Sequence, residues 1–195
     1  MSYAVYGARA TRTFRVLWLL EELGADYTHH AVKPHDPVLT ALAPLGKVPV
    51  LVDGDAVIGD SSAILTHLAD KHGAFTAPAG SVARARQDAW TFRILDEVEG
   101  PLWMAAKHSF ILPEQERVAA VKPSCKAEYA RAITRIFDEA EGPYLTGDAL
   151  TVPDIVLGHC GGWAKNAGFP EPTAAFAAYL ERVRARPAFK AAAAL

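Results

Sequence analysis

The sequence predicts an α/β N-terminal domain of βαβ–ββα order followed by an all-α C-terminal domain. Three observations support this fold class. Short β-prone runs flank one amphipathic helix near the start of the chain. An Asp53-Gly54 pair then joins two further β-prone runs, which is a strong hairpin signal. From Ser81 onward, the apolar residues recur at helical spacing. The predicted divisions are a first domain over 1–73, a linker over 74–80 and a second domain over 81–195.

The first domain begins with a strand, a helix and a second strand. Tyr3–Tyr6 is a β-prone run, and Phe14–Leu23 has the spacing of an amphipathic helix that Gly24 ends. Tyr27–Val32 is the next β-prone run. This order implies a right-handed crossover between two parallel strands. The segment Lys33–Pro44, which contains three prolines, is predicted to be irregular or a broken helix.

A hairpin and a helix complete the first domain. The predicted strands are Val48–Val52 and Ala56–Ile58. The helix after them opens at Asp60-Ser61-Ser62, residue types that cap a helix by accepting backbone N–H bonds. It ends at Lys71-His72-Gly73, which places cationic residues in the last turn before a glycine stop.

Two places in this stretch have both a structural and a functional interpretation. Pro49 stands in a strand-like run, where it donates no backbone hydrogen bond. A cis Val48-Pro49 bond would turn the N–H and C=O of Val48 outward toward an extended peptide, although X-Pro bonds are more often trans. Asp60 and Ser61 either cap the helix or bind an anion such as a carboxylate at its N-terminus.

The second domain is predicted to consist of helices. Its first helix is long and kinked near Pro101, because a proline interrupts helical hydrogen bonding there. Thr151 and Asp154 form a Thr-x-x-Asp capping box at the start of a later helix, with Pro153 in its first turn. The predicted helical segments are Ser81–Lys107, a short piece opening at Pro113-Glu114, Ser124–Ala140, Val152–Lys165 and two short helices within Pro172–Leu195.

Composition and charge narrow the range of partners. A chain of 195 residues with 51% hydrophobic and 22% charged residues is typical of a globular protein. The net charge is −2 and no long basic run occurs, so neither nucleic acid nor a membrane surface is an expected partner. Cys125 and Cys160 are the only cysteines, and they form neither a disulfide framework nor a metal-ligand spacing. We therefore expect no metal and a reducing, cytoplasmic location, with no signal peptide or membrane-spanning segment.

The run Gly46–Leu51, followed by Asp60-Ser61-Ser62-Ala63-Ile64, resembles the glutathione-binding signature of cytosolic glutathione S-transferases. The resemblance implies a thioredoxin-like first domain and the two-domain architecture of that family. It also implies a cis Val48-Pro49 bond, with the Val48 backbone paired to the cysteinyl part of glutathione. Asp60, where Glu is usual, would hold the γ-glutamyl ammonium, and Ser61 its carboxylate. Lys47 would lie near the glycyl carboxylate.

The family places its activating residue in the turn between the first strand and the first helix. This turn contains no cysteine, so the Cys-type mode is excluded. Thr11 falls where the Ser-type classes have their catalytic hydroxyl, and Thr13 is the second candidate. A hydroxyl that donates to a thiolate stabilises the charged form and lowers the pKa of the thiol. The alternative for either threonine is that it only caps the helix.

The resemblance also predicts a substrate cleft between the domains. Its candidate residues are Arg9 from the first domain and Trp103, Lys107, His108 and Trp163 from the second. The alternative for the two tryptophans is burial in the core, and for Arg9 simple solvent exposure. The second domain's Asp154 is expected to be a folding residue, since the family has a buried capping box at that place.

Three functions fit these residues. The leading hypothesis is a glutathione S-transferase that activates glutathione, its co-substrate, for attack on a small, mostly apolar electrophile. A second is another glutathione-dependent reaction: isomerisation, dehalogenation, ether cleavage or disulfide reduction, since one scaffold hosts several chemistries. A third is a non-enzymatic binding or regulatory protein of the same fold. The family resemblance further implies a homodimer.

Overall fold

The protein folds into two compact units in a computed structural model that describes residues 2–170 and 173–195. One unit consists of the residues up to Ser81 together with Arg184–Leu195, and the other of Val82–Val183. Pro172, where the expected C-terminal tail begins, lies outside the described residues. The first unit includes the segment 74–80 that was predicted as a linker, and the end of the chain groups with this unit rather than with the helical one.

The first unit is built on a four-stranded mixed sheet, with the strand order β2-β1-β3-β4. Strands β1 and β2 are parallel, whereas β3 is antiparallel to both β1 and β4. The predicted βαβ–ββα order is therefore confirmed. Strand β2 is shorter than expected, since the N–H of Val32 turns back to the carbonyl of His30 at 2.8 Å. The strands are β1 Tyr3–Tyr6, β2 Tyr27–His30, β3 Val50–Asp53 and β4 Ala56–Gly59.

The helices follow the predicted order in both units. The first unit contains α1 Phe14–Leu23, α2 Pro37–Leu42, α3 Ser61–His72 and α9 Pro187–Ala194. The second unit contains α4 Val82–Arg93, α5 Gly100–Ala106, α6 Lys122–Glu139, α7 Val152–Asn166 and most of α8 Ala174–Ala185. Helices α1 and α3 end at glycines in the left-handed conformation, which are the stops expected from the sequence.

Helix α1 lies in the core of the first unit, where Val16–Leu20 are fully buried. Helix α9 covers one side of it, and the ring of Phe189 packs edge-on against Trp18 with 5.0 Å between the ring centroids. The guanidinium of Arg186 also donates to both carboxylate oxygens of Glu22, at 2.6 and 2.7 Å. These contacts explain why the last helix belongs to the first unit although it follows the helical segment in sequence.

The long helix expected near Pro101 is a continuous helical run over 82–111 with two π-helical turns. One turn, Ile94–Glu99, directly precedes α5, and the other, Lys107–Ile111, follows it. Proline lacks an N–H and its ring crowds the carbonyl four residues earlier, so a wider turn accommodates it. The irregularity predicted for this helix therefore takes the form of a π-helical turn before Pro101.

The capping box at the start of α7 is present as predicted. The carboxylate of Asp154 is fully buried and accepts from the backbone N–H of Thr151 at 2.8 Å and of Leu145 at 3.0 Å. The hydroxyl of Tyr179 donates to it at 3.0 Å. Burial raises the pKa of Asp154 above its usual range, although these hydrogen bonds oppose the effect. Asp154 thus ties together α7, the preceding loop and α8.

Candidate functional site

The signature run enters β3 through the Val48-Pro49 peptide bond, which is cis. Pro49 is buried and Val48 is half-buried. Within the part of the chain that the structure describes, the backbone N–H and C=O of Val48 form no hydrogen bond. These two groups therefore remain available to an extended peptide lying alongside. The neighbouring Lys47 is exposed.

Gly7 brings the turn after β1 close to Val48. Its φ is +140°, in the region that favours glycine. A Cβ added there would lie 2.1 Å from Oγ1 of Thr13 and 2.9 Å from Cβ of Val48. Only a residue without a side chain permits this approach. The end of β1 and the signature run therefore meet at one edge of the sheet.

The two candidate hydroxyls, those of Thr11 and Thr13, hydrogen-bond to each other. Oγ1 of Thr11 donates to the carbonyl of Ala8 at 2.7 Å and accepts from the backbone N–H of Thr13 at 3.2 Å. The two hydroxyl oxygens are 2.9 Å apart. Since Thr11 donates its single hydroxyl proton to the Ala8 carbonyl, Thr13 is the donor between the two hydroxyls. Thr11 is half-buried, whereas Thr13 is fully buried.

The N-terminus of α3 combines a cap with a buried hydroxyl. Oδ1 of Asp60 accepts from the N–H groups of Ser62 and Ala63 at 2.8 and 3.1 Å, so the capping interpretation is correct for this oxygen. Asp60 is exposed, and its φ of +67° is uncommon for a residue with a side chain. Its second oxygen, Oδ2, forms no hydrogen bond to the described residues. One carboxylate oxygen thus caps the helix while the other remains accessible.

Ser61, the first residue of α3, is only 2% exposed. Its Oγ accepts a hydrogen bond from Nη1 of Arg15 at 3.2 Å. Arg15 is fully buried on α1, next to the apolar stretch Val16–Leu20. Arg15 was not among the predicted site residues, because arginine is usually exposed. One feature of the sequence could have indicated its role: Arg15 is the single arginine in the apolar part of a helix that otherwise faces the core.

The candidate cleft residues are distributed over both units. Arg9 is exposed in the first unit. In the second, Trp103 and Lys107 are half-buried, and Nδ1 of His108 accepts from the backbone N–H of Val118 at 3.1 Å. This bond places the proton of a neutral His108 on Nε2.

Trp163 lines a cavity of about 390 Å³ inside the second unit. The lining is mostly apolar and includes Leu102 and Phe169, with Lys122 and Lys126 as its charged members. The other cleft candidates of the second unit do not line it.

Over residues 2–170 and 173–195, no group of three or more His, Cys, Asp or Glu side chains is arranged to hold a metal ion. None of the helices in these ranges combines the length and apolar character that crossing a bilayer requires.

The known proteins that this chain resembles in sequence are glutathione S-transferases. The family model described as the N-terminal domain of glutathione S-transferase matches residues 1–70. A glutathione S-transferase of Triticum aestivum is 29% identical over 158 residues, covering 78% of this chain and 74% of the wheat protein. Glutathione S-transferase 4 of Zea mays is 29% identical over 198 residues, covering 94% of this chain and 88% of the maize protein.

A solved structure extends the match over nearly the whole chain. It is the theta class glutathione S-transferase from Xanthomonas axonopodis pv. citri with glutathione bound, which is 28% identical and superposes with a TM-score of 0.80. The match covers 97% of this chain and 96% of the Xanthomonas protein. Over its first 70 residues the chain matches the N-terminal domain of glutathione S-transferase, and over most of its length it is similar to proteins of that family.

Proposed function

We propose that this protein is a glutathione S-transferase that binds glutathione at the sheet edge of its first unit and activates the thiol for attack on a small, mostly apolar electrophile. The observation that carries the proposal is the meeting of three distant segments in this unit. Gly7 brings the turn of Thr11 against Val48, and Arg15 links α1 to Ser61 at the start of α3. Similarity to a transferase solved with glutathione bound supports the same assignment.

The peptide part of glutathione would pair with the backbone of Val48, whose N–H and C=O have no hydrogen-bond partner among the described residues. The γ-glutamyl carboxylate would accept from Ser61 at the positive end of α3. Its ammonium would donate to Oδ2 of Asp60, the oxygen that does not cap the helix. Lys47, which is exposed, would approach the glycyl carboxylate. Pro49 shapes this edge from its buried position.

Thr11 would stabilise the thiolate by turning its hydroxyl proton from the Ala8 carbonyl to the sulfur. The hydroxyl of Thr13 donates to Thr11 and would continue to do so, which strengthens Thr11 as a donor. Thr13 is then a positioning residue, because its single hydroxyl proton is donated to Thr11 and not to the ligand. The thiolate attacks an electrophilic carbon and forms a C–S bond while the leaving group departs or an adjacent bond opens.

The proposal extends to assembly and location. The family resemblance implies a homodimer, which light scattering coupled to size-exclusion chromatography measures. Arg9, Trp103, Lys107, His108 and Trp163 remain candidates for contact with the electrophile. A cytoplasmic role in detoxification fits a chain whose two cysteines are both buried and form no disulfide.

The test is glutathione binding by calorimetry together with conjugation of a panel of aryl halides, epoxides and enones. We expect the wild type to bind glutathione and to turn over at least one class of electrophile, and Ser61→Ala to lose most of the binding. The matched control is Ser124→Ala, an exposed serine at the first turn of α6 in the other unit. A wild type that does not bind glutathione would contradict every glutathione-dependent function.

A further inference from the structure

We infer that Arg15 is a positioning residue of the glutathione site, which holds the hydroxyl of Ser61 as a hydrogen-bond donor to the γ-glutamyl carboxylate. The inference rests on the proposed function, because it concerns how that same site recognises an anion. Arg15 itself is fully buried and would not touch the ligand. It would act through Ser61.

The direction of the hydrogen bond between the two side chains is fixed by chemistry. A guanidinium has only donors and stays protonated in proteins. Nη1 of Arg15 lies 3.2 Å from Oγ of Ser61, so the serine oxygen is the acceptor. A serine hydroxyl has two lone pairs and one proton. This contact uses a lone pair and leaves the proton for another partner.

Among the described residues, no group accepts the hydroxyl proton of Ser61. The side chain is nevertheless 98% removed from solvent, as its 2% exposure shows. A buried donor without an acceptor costs free energy. A ligand that supplies the acceptor removes this cost, which favours binding. An anionic oxygen is the acceptor that fits best here, since the positively charged guanidinium of Arg15 lies 3.2 Å from the Ser61 oxygen.

The burial of Arg15 strengthens its electrostatic effect. Charges interact more strongly in the protein interior than in water, because the interior screens them less. A cation fully buried beside Ser61 therefore favours an anionic oxygen over a neutral one as the partner of the Ser61 hydroxyl. Recognition would depend on the negative charge of the γ-glutamyl carboxylate as well as on its shape.

The experiment is a double-mutant cycle with Arg15→Met, Ser61→Ala and the double variant, in which calorimetry measures the dissociation constant for glutathione. We expect Arg15→Met to weaken binding about tenfold or more, the range for a hydrogen bond to a charged group. In the Ser61→Ala background the same substitution should have a much smaller effect. Arg15→Lys, which keeps the charge, should recover part of the affinity.

A second ligand separates positioning from general loss of structure. A glutathione analogue with its γ-glutamyl carboxylate converted to the amide should bind the wild type weakly, and Arg15→Met should change that affinity little. Leu19→Ala is the matched control, because Leu19 is also fully buried on α1. It should lower the unfolding temperature without changing the preference for glutathione over the amide.

The outcomes distinguish this inference from the proposed function. If the wild type binds glutathione but Arg15→Met and Ser61→Ala act additively, or the amide preference is unchanged, the inference is wrong and the proposed function stands. Without binding by the wild type, both fail. If the Arg15 variants do not fold, a crystal structure of the wild-type complex decides. Ser61 Oγ should then bridge Nη1 of Arg15 and a ligand carboxylate oxygen, and a ligand that avoids Oγ would overturn the inference.

Discussion

Oγ1 of Thr11 and Oγ1 of Thr13 lie 2.9 Å apart, and Thr13 is the donor between them. The two threonines that the sequence offered as alternative candidates are thus parts of one hydrogen-bonded chain ending at the Ala8 carbonyl. Thr11 is half-buried, and the single hydroxyl proton of Thr13 is donated to Thr11. Any effect of Thr13 on the thiol must therefore pass through Thr11.

Removing the Thr11 hydroxyl should raise the pKa of the bound glutathione thiol. Thr11→Val keeps the branched shape but lacks the donor, so the thiolate loses one hydrogen bond that favours its charged form. We expect conjugation to slow about tenfold at pH 6.5 and much less at pH 9, with little change in glutathione affinity. Absorbance of the bound thiolate against pH measures the effect directly.

The control for this measurement is Thr11→Ser, which retains the hydroxyl. It should keep the pH dependence of the wild type, since the donor is unchanged and only a methyl group is lost. A thiolate titration that is the same in Thr11→Val and in the wild type would remove Thr11 from the mechanism.

Gly7→Ala should impair both folding and binding. The new Cβ would lie 2.1 Å from Oγ1 of Thr13 and 2.9 Å from Cβ of Val48, and the φ of +140° disfavours any side chain. A strained backbone position of this kind costs roughly 1–3 kcal/mol, and the steric overlap adds to it. We expect the free energy of unfolding to fall by about 3 kcal/mol and glutathione affinity to fall with it.

Gly54→Ala isolates the backbone contribution. Gly54 has a φ of +60° in the hairpin turn, and nothing lies within 4 Å of the Cβ it would gain. The loss of stability should be about 1 kcal/mol, with glutathione affinity unchanged. Equal losses in the two variants, measured by urea unfolding, would show that the Gly7 contact with Thr13 and Val48 is unimportant.

The strands and helices could be predicted from the sequence because the residues that start and stop each of them lie within a few positions of each other. Gly24 stops α1, and Asp60 caps α3, each through backbone groups of the adjacent turn. The Thr151 and Asp154 capping box is likewise a four-residue pattern. Since such signals act locally, the sequence was sufficient for the order of strands and helices.

The remaining features depend on contacts between distant residues. Arg15 is paired with Ser61, 46 residues away, and its burial runs against the usual exposure of arginine. The placement of α9 depends on Phe189 against Trp18 and on Arg186 with Glu22. Periodicity within one segment holds no information about such pairings. The sequence therefore predicted the residues that would face the ligand. It did not predict the side chains that support them.

Loss of the Asp154 carboxylate should destabilise the second unit more than any change at the surface. Asp154→Ala leaves the N–H groups of Thr151 and Leu145 and the hydroxyl of Tyr179 without their acceptor, and each buried orphan costs about 1–3 kcal/mol. We expect the free energy of unfolding to fall by about 3–5 kcal/mol. Asp148→Asn, an exposed position in the preceding loop, should change it by less than about 0.5 kcal/mol.

Tyr179→Phe removes one of these donors while keeping the ring in the core. Its single hydroxyl proton is shared between the carboxylate of Asp154 at 3.0 Å and the backbone carbonyl of Asp154 at 3.2 Å, so a loss of about 1–2 kcal/mol is expected. Urea denaturation monitored by tryptophan fluorescence gives both values. If the Asp154→Ala variant were as stable as the wild type, the proposed role of Asp154 in folding would be refuted.

The stability of the first unit should depend on pH through Asp53. This carboxylate, at the end of β3, accepts from Nζ of Lys71 at 2.7 Å and from Nε2 of His67 at 2.9 Å, both on α3. The hydrogen bond from Lys71, followed by that from His67, lowers the pKa of Asp53 below its ordinary 3.8. Because the folded value is depressed, ionised Asp53 stabilises the native state at all pH values above about 4. That contribution is lost as the pH falls from there through the folded value.

The comparison is between the wild type and Asp53→Asn, by urea unfolding from pH 7 to pH 2.5. The difference in unfolding free energy should be constant down to about pH 4 and should shrink below it, since both proteins then have a neutral side chain at this position. Salt should reduce the difference because the partners are partly exposed. Asp55→Asn, in the neighbouring turn, is the matched control and should show a smaller difference at neutral pH. A difference that instead grows as the pH falls would mean that the pKa of Asp53 is raised on folding, contrary to the hydrogen bonds from Lys71 and His67.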